Sequence, residues 1–203
     1  MNRVDFLAEL HRRLNPRGYL EIGVGDGETL RLASCPSLGI EPDLPHDFQL
    51  PPGARIADLP SDEFFAYAPP RLIPQPLDLV FCNGSHQYDV TLRELRSVER
   101  FANPRTVAVV DGVLPRSLED ATRRPETPTW VGDVWQIHPI LAGSRPDLHL
   151  TVVDVQPAGL LLIQGLDPIR AGWQQIPVVP DLEQVRVCAV APEKALAQVE
   201  EGL

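Results

Sequence analysis

The chain has 203 residues, of which 43% are hydrophobic and 23% charged, and its formal net charge is −10. This length and balance predict one globular domain with a sizeable core. The negative charge argues against a nucleic-acid partner, because phosphate binding needs clustered Lys and Arg, and it fits a small-molecule or neutral sugar-like substrate better.

The cysteines and the apolar runs exclude further classes of protein. Cys35, Cys82 and Cys188 are scattered and form no CxxC pair, so neither a disulfide framework nor a zinc site is indicated. No apolar run approaches the roughly 20 residues that cross a bilayer, and the first residues have a helical pattern instead of a signal-peptide pattern. We therefore expect a soluble, cytoplasmic protein.

The hydrophobic pattern predicts helices that alternate with strands. Strands are predicted at residues 19–24, 38–41, 77–82, 106–111, 148–153 and 159–163. Helices are predicted at residues 4–14, 27–33, 62–68, 88–101, 132–141 and 192–201. Ser61 is the expected N-cap of the third helix. The nearly all-apolar strands indicate a parallel sheet covered on both faces, and the last two strands an antiparallel edge.

A glycine-rich turn follows the first predicted strand in the sequence YLEIGVGDGETL. Gly23, Gly25 and Gly27 come at every second position, and Glu21 precedes them. A dinucleotide-binding turn has the different spacing G-x-G-x-x-G. Glycines let the backbone approach a ligand closely and adopt positive φ, and the acid can accept hydrogen bonds from a positively charged amino group, directly or through water.

This E-x-G-x-G-x-G run resembles the first motif of class I S-adenosylmethionine-dependent methyltransferases. The segments DLVFCNGSHQY, VVDG and WVGDVWQ resemble the F-x-D-G-x-H, VVDD or HDCxP, and GDVW elements of one branch of that family. The resemblance implies a Rossmann-like α/β fold, doubly wound, with a mostly parallel seven-stranded sheet and an antiparallel edge. The resemblance runs from about Tyr19 to about Ile163. The predicted methyltransferase core, with the N-terminal helix, is residues 1–165, and residues 166–203 are an extension packed on the core or on a neighbouring chain.

The resemblance also implies where a cofactor binds. Glu41 ends the second strand, where the family places an acid on the ribose hydroxyls. The predicted cofactor-binding residues are Glu21, Gly23, Gly25, Gly27, Glu41, Asp58, Asn83 and Ser85. Asp58 either approaches the adenine amino group or is a solvated loop acid.

The resemblance implies transfer of a methyl group to a hydroxyl, which must lose its proton. His86 is the candidate general base; alternatively it caps its helix or packs on the cofactor. Asp111 is predicted to be a catalytic residue, as a metal ligand, a hydrogen-bond acceptor for the substrate, or a partner of His86.

The sequence departs from the ligand pattern for a divalent metal such as Mg²⁺. Metal-dependent relatives have an Asp where this chain has Asn83, and a D-D or D-N pair where it has Asp111–Gly112. Asp133 would add a ligand if its loop covers the site. Because Mg²⁺ prefers several oxygen ligands, carboxylates among them, this reduced set argues against metal dependence.

Aromatic and basic residues in the second half of the chain leave alternatives open. Trp130 and Trp135 either form a wall for the acceptor or pack in the core. Arg123 and Arg124 lie in a long polar loop, residues 114–129, and either bind an anionic acceptor or are solvated.

Two other functions compete with an O-methyltransferase acting on a small-molecule or sugar hydroxyl. The departures at Asn83 and Gly112 favour a binding protein that has lost catalysis on the same scaffold. A nicotinamide-dependent dehydrogenase is a weaker alternative, because the glycine spacing argues against it. The apolar segment at residues 174–180 either crosses to a neighbouring chain, giving a homo-oligomer, or covers the sheet.

Overall fold

The computed structural model describes residues 1–169, 173 and 180–201. The strands of this part of the chain are β1 (Tyr19–Ile22), β2 (Ser37–Ile40), β3 (Ala54–Ala57), β4 (Leu79–Cys82), β5 (Val107–Asp111), β6 (His149–Val153) and β7 (Leu160–Gln164). Its α-helices are α1 (Arg3–Leu14), α2 (Ser61–Tyr67), α3 (Tyr88–Glu99), α4 (Ile137–Ser144), α5 (Leu182–Val187) and α6 (Pro192–Glu201).

The strands form one sheet in the order β3-β2-β1-β4-β5-β7-β6. Strands β1 to β5 pair in parallel, whereas β7 runs antiparallel to both β5 and β6. This arrangement confirms the predicted α/β class and its antiparallel edge. The order reverses between β1 and β4, and the carboxyl ends of the strands at such a switch point form the usual ligand crevice of open α/β sheets.

Two apolar layers cover the sheet, one on each face. Alternate residues of a strand point to opposite faces, so Leu20 joins the layer of α2, α3, α4 and α5, while Tyr19 joins that of α1 and α6. Burial of these layers is the main driving force for the fold.

Three local predictions differ from the structure. The segment predicted as a helix at 27–33 contains only a short 3-10 turn, Leu30–Leu32. Strand β3 lies inside the proline-rich stretch, where no strand was predicted. Ser61 is the first residue of α2 and not its N-cap, because Pro60 holds that position and the Ser61 hydroxyl donates to Glu94 Oε1 at 2.6 Å.

The region after β7 packs on its own chain where the structure describes it. Helix α6 contributes Leu196 and Val199 to the α1 layer, and the Trp173 indole N–H donates to the Glu99 carboxylate. The segment at residues 174–180 was predicted to contact either a neighbouring chain or the sheet. Positions 174–179 of this segment lie outside the described residues. None of the described helices has the length and apolar character needed to span a membrane.

Candidate functional site

The glycine loop after β1 packs against the turn that follows β4. Gly23 has φ +82°, and a Cβ there would lie 2.3 Å from the carbonyl oxygen of Asn83. The Asn83 N–H donates to the Ile22 carbonyl at 2.8 Å, which extends the β1–β4 pairing into this contact. Only glycine fits at position 23, because a side chain would separate the two loops.

Gly25 and Glu41 meet at the carboxyl ends of β1 and β2. The Gly25 N–H donates to Glu41 Oε2 at 3.1 Å, and the Asp43 N–H donates to Glu41 Oε1 at 3.0 Å. Gly25 has φ +54°, and a Cβ there would meet no atom within 4 Å, so this side of the loop is open. The structure therefore brings together two predicted cofactor-binding residues at an accessible edge.

Glu21 supports the glycine loop from inside the protein. Its side chain is fully buried, and its carboxylate accepts hydrogen bonds from the Tyr19 hydroxyl at 2.7 Å and the Thr29 hydroxyl at 2.5 Å. Burial raises the pKa of Glu21 to about 7, although both hydrogen bonds oppose this shift. The two oxygens are held by protein hydroxyls, so direct contact with a cofactor amino group is not part of this arrangement.

His86 follows the β4 turn in a left-handed backbone conformation, with φ +55°. Its carbonyl oxygen accepts a hydrogen bond from the Val134 N–H at 3.2 Å, and a Cβ on Gly132 would lie 2.0 Å from that oxygen. On its other side, a Cβ on Gly112 would lie 3.0 Å from His86 Nδ1. Two glycines thus make room for His86 between the β5 turn and the GDVW segment.

Asp111 lies beside His86 at the end of β5 and forms an ion pair with the first residue of α1. Arg3 Nη1 is 2.8 Å from Asp111 Oδ2 and 3.5 Å from Asn83 Oδ1. Asp111 is only 4% exposed. The predicted metal ligands Asp111 and Asn83 therefore do come together, but a guanidinium group lies between them.

The charges around His86 act in opposite directions on its pKa. Burial lowers the pKa of His86, the negative charge of Asp111 raises it, and the positive charge of Arg3 lowers it, with a net decrease. A lowered pKa keeps the imidazole neutral at neutral pH, the form a general base requires.

The Asp133 carboxylate contacts groups other than Asp111 and Asn83. Its Oδ1 accepts a hydrogen bond from the Tyr88 N–H at 3.0 Å, at the N-terminus of α3, and its Oδ2 lies 3.2 Å from Arg123 Nη1. A carboxylate in this position stabilises a helix N-terminus. Across the described residues, no cluster of three or more His, Cys, Asp or Glu side chains could hold a metal ion.

The long loop over residues 114–129 is held by hydrogen bonds to Asp120, Trp130 and Trp135. Asp120 Oδ1 accepts hydrogen bonds from the Thr127 hydroxyl at 2.5 Å and the Thr129 hydroxyl at 2.7 Å. The indole N–H groups of Trp130 and Trp135 donate to loop carbonyls at 2.7 Å and 3.2 Å. Both tryptophans thus have a packing role, and Trp130 also contacts His86 edge to face, with 6.0 Å between ring centroids.

The other predicted residues occupy the rim of the site. Gly27 is buried against Phe48, whose ring would lie 2.7 Å from a Cβ at position 27. Asp58 and Ser85 are exposed, directly after β3 and in the turn after β4. Arg123 is paired with Asp89 Oδ1 at 2.7 Å and with Asp133, which does not favour a role as a free anion-binding side chain, whereas Arg124 is exposed.

Arg3 was not among the residues predicted from the sequence. It lies 108 positions from Asp111, so no local motif connects the two. The sequence did carry one signal: a basic residue at the first position of a helix opposes the helix dipole. Its presence there indicates a nearby negative charge outside the helix.

The chain resembles solved structures with the same fold. One is cofactor-bound Rv0187 from MTB, 18% identical, with a TM-score of 0.60 over 81% of this chain and 80% of that chain. Another is the O-methyltransferase TomG from Streptomyces achromogenes in complex with SAM, 21% identical, with a TM-score of 0.58 over 80% and 79% of the two chains. A third, an O-methyltransferase from Bacillus cereus in complex with SAH, is 15% identical, with a TM-score of 0.55 over 80% of each chain.

These likenesses establish the Rossmann-like methyltransferase fold. At the level of sequence, no protein-family model matches the chain and no curated protein matches it.

Proposed function

We propose that this chain is an S-adenosylmethionine-dependent methyltransferase that O-methylates a hydroxyl group of a small molecule. The observation that carries the proposal is the open glycine turn at Gly25, whose N–H donates to Glu41 at the carboxyl ends of β1 and β2, beside the switch point of the sheet. The solved structures with this fold include proteins described as O-methyltransferases, in complex with SAM or SAH.

The described residues fit such a cofactor. The Glu41 carboxylate is half-buried, and each oxygen accepts one backbone N–H, so the remaining lone pairs are free to accept the two ribose hydroxyls. The open side of Gly25 admits a ligand close to the backbone. When bound, S-adenosylmethionine supplies an electrophilic methyl group on a positively charged sulfur.

His86 is proposed to take the proton from the acceptor hydroxyl at a ring nitrogen. Its Nδ1 lies against Gly112, which leaves Nε2 as the atom for this transfer. Asp111 lies beside the ring, where its negative charge stabilises the imidazolium formed by proton transfer. Trp130, in contact with the imidazole, limits the rotation of the ring and excludes water from one side.

Calorimetry with S-adenosylhomocysteine tests the cofactor assignment. Glu41→Ala is expected to weaken binding about 10- to 100-fold, since hydrogen bonds to a charged group contribute about 1.5–3 kcal/mol. NAD is expected not to bind. Unchanged affinity in Glu41→Ala, or binding of NAD in place of S-adenosylhomocysteine, would contradict the proposal.

Gly25 and Gly53 provide a matched pair for the same experiment. Both have positive φ, and a Cβ at either position would meet no atom within 4 Å, so an Ala at either position has a similar backbone cost. Gly53 directly precedes β3, at the end of the sheet where the parallel strands begin, whereas Gly25 lies where they end. Gly25→Ala is expected to weaken binding of S-adenosylhomocysteine, and Gly53→Ala to leave it unchanged; equal effects would show that the open side of Gly25 does not face the ligand.

A binding protein without catalysis is the second candidate, favoured by the ion pair between Arg3 and Asp111 within the site. Turnover measured as release of S-adenosylhomocysteine with a panel of phenolic and sugar acceptors separates the two. Cofactor binding with no turnover on that panel, with and without Mg²⁺, favours the second candidate.

A further inference from the structure

We propose that Arg3 is the resident cation of this site: its guanidinium group fills the position between Asn83 and Asp111 that the sequence resemblance assigns to a divalent metal ion. The inference rests on the proposed function, because it concerns the charge beside the acceptor. It assigns to α1 a part in the site that the motifs do not contain.

The first argument is geometric. A single nitrogen of Arg3, Nη1, contacts both Asp111 Oδ2 at 2.8 Å and Asn83 Oδ1 at 3.5 Å. These two oxygens are the ones a bound cation would use. A metal ion could reach them only by displacing the guanidinium group.

The second argument is electrostatic. A buried carboxylate such as Asp111 needs a compensating positive charge. Arg stays protonated at every physiological pH, so the charge beside Asp111 is permanent and does not depend on the metal supply. A divalent ion approaching the same carboxylate would be repelled by this charge.

The third argument is the lack of replacement ligands nearby. Gly112 contributes no side chain; its φ of +84° disfavours any other residue, and a Cβ there would crowd His86 Nδ1 at 3.0 Å. Asp133 is engaged by the Tyr88 N–H and by Arg123. The described residues therefore do not fit a divalent metal ion.

The fold fixes the position of Arg3 through its backbone. The Arg3 N–H donates to the Gln156 carbonyl at 2.8 Å, and Asn2 caps the helix by accepting a hydrogen bond from the Asp5 N–H at 2.8 Å. Helix α1 then packs along the sheet through Phe6, Leu7 and Leu10, all fully buried. The guanidinium group is thus held by a well-packed element.

The pair keeps unused hydrogen-bonding capacity. Among the described residues, neither Arg3 Nε nor Asp111 Oδ1 has a hydrogen-bond partner, and both atoms are buried. A hydroxyl group can both donate and accept. An acceptor hydroxyl that accepts a hydrogen bond from Arg3 would use part of this capacity, and Arg3 would stabilise the oxygen as its proton passes to His86.

Titration with Mn²⁺, followed by electron paramagnetic resonance of the free ion, tests the inference on the full chain. The wild type and Asp111→Asn are expected to show the same free-ion signal, since no Mn²⁺ binds at Asp111. The double variant Arg3→Ala/Asn83→Asp frees the position and supplies a second carboxylate, and it is expected to bind Mn²⁺ at least about tenfold more tightly than the wild type.

Two results would overturn the inference: Mn²⁺ binding by the wild type that Asp111→Asn abolishes, or a folded double variant with no gain in Mn²⁺ affinity. If the double variant does not fold, Asn83→Asp alone decides: it retains Arg3 and is expected to bind no Mn²⁺, and binding would count against the inference. The matched control Arg17→Ala removes a similar ion pair, with Asp78, and is expected to gain no Mn²⁺ site.

Calorimetry with S-adenosylhomocysteine on the same samples separates this inference from the proposed function. A wild type that does not bind S-adenosylhomocysteine contradicts the proposed function, whereas the Mn²⁺ titration bears on Arg3 alone.

Discussion

Two buried carboxylates, each paired with an arginine, lie at opposite ends of the parallel strands. We call the side where these strands begin the amino edge of the sheet, and the side where they end the carboxyl edge. At the amino edge, Asp78 precedes β4, and its oxygens accept hydrogen bonds from Arg17 Nε at 2.7 Å and Arg17 Nη2 at 2.8 Å. The Arg17 backbone N–H at 3.1 Å and the Asn103 side-chain amide at 3.1 Å complete the set. Both oxygens of Asp78 are therefore fully used.

At the carboxyl edge, Asp111 has one close contact, to Arg3, and its Oδ1 has no partner among the described residues. A buried polar atom without a partner costs free energy. The contrast indicates that the Arg17–Asp78 pair serves stability, whereas the Arg3–Asp111 pair lies at the proposed site and leaves one carboxylate oxygen without a partner.

The largest expected difference between the two edges is in stability. Asp78→Ala removes four hydrogen bonds and is expected to lower the free energy of unfolding by about 4 kcal/mol. Asp111→Ala removes one ion pair and an unpartnered atom, and it is expected to lower the free energy of unfolding by only about 1 kcal/mol. Urea unfolding followed by circular dichroism measures both; equal losses would contradict the distinction between the edges.

A second expected difference concerns the pH dependence of stability, because the pKa of Asp78 at the amino edge is lowered and that of Glu21 near the carboxyl edge is raised. Burial raises the pKa of Asp78, but the hydrogen bonds from Arg17 and Asn103 outweigh it, and the pKa is lowered overall. The stabilisation from Asp78 is thus present at neutral pH and is lost as the pH falls through its lowered pKa.

Glu21, near the carboxyl edge, shows the reverse behaviour. Unfolded chains release this proton near pH 4.5, whereas the folded chain keeps it up to about pH 7. The free energy of unfolding is therefore expected to fall by up to about 3 kcal/mol as pH rises from 4.5 to 7. Urea unfolding at pH 5 and pH 8 measures this change, and Glu21→Gln is expected to remove it; an unaltered pH dependence in Glu21→Gln would assign the effect to another group.

The smallest expected effect is on the protonation of His86. Arg3→Ala removes a positive charge and is expected to raise the pKa of His86, whereas Asp111→Asn is expected to lower it further. Histidine ring signals in nuclear magnetic resonance spectra recorded across pH give both values. Arg17→Ala, at the other edge, serves as the control, and a shift of equal size there would mean that these charges do not act locally.

Much of the central sheet could be predicted because its strands are continuous apolar runs. The runs at β4 and β5, and the glycine turn after β1, carry their information within a few neighbouring residues. Strand β3 was missed because its four residues, Ala54–Ala57, lie between proline-rich segments, and the residue Ala54 alone is buried. Its pairing with β2 comes from tertiary context.

The candidate site was predictable only where its residues belong to a motif. Glu41 and His86 followed from the resemblance, but Arg3 reaches Asp111 across 108 positions. Ser61 was assigned as a helix cap from local preference, whereas its hydroxyl donates to Glu94, 33 positions away. Side-chain partners at such separations depend on packing that no short pattern contains.

The edge-to-face contact of Trp130 with His86 has a consequence for observing the site. A protonated imidazole quenches the fluorescence of a neighbouring indole, and the two ring centroids are 6.0 Å apart. The emission of Trp130 therefore provides an intrinsic optical signal for the charge state of His86 and for ligands that arrive beside it. A chain with Trp135 and Trp173 replaced by Phe would isolate that signal, so occupancy could be followed in solution without a label.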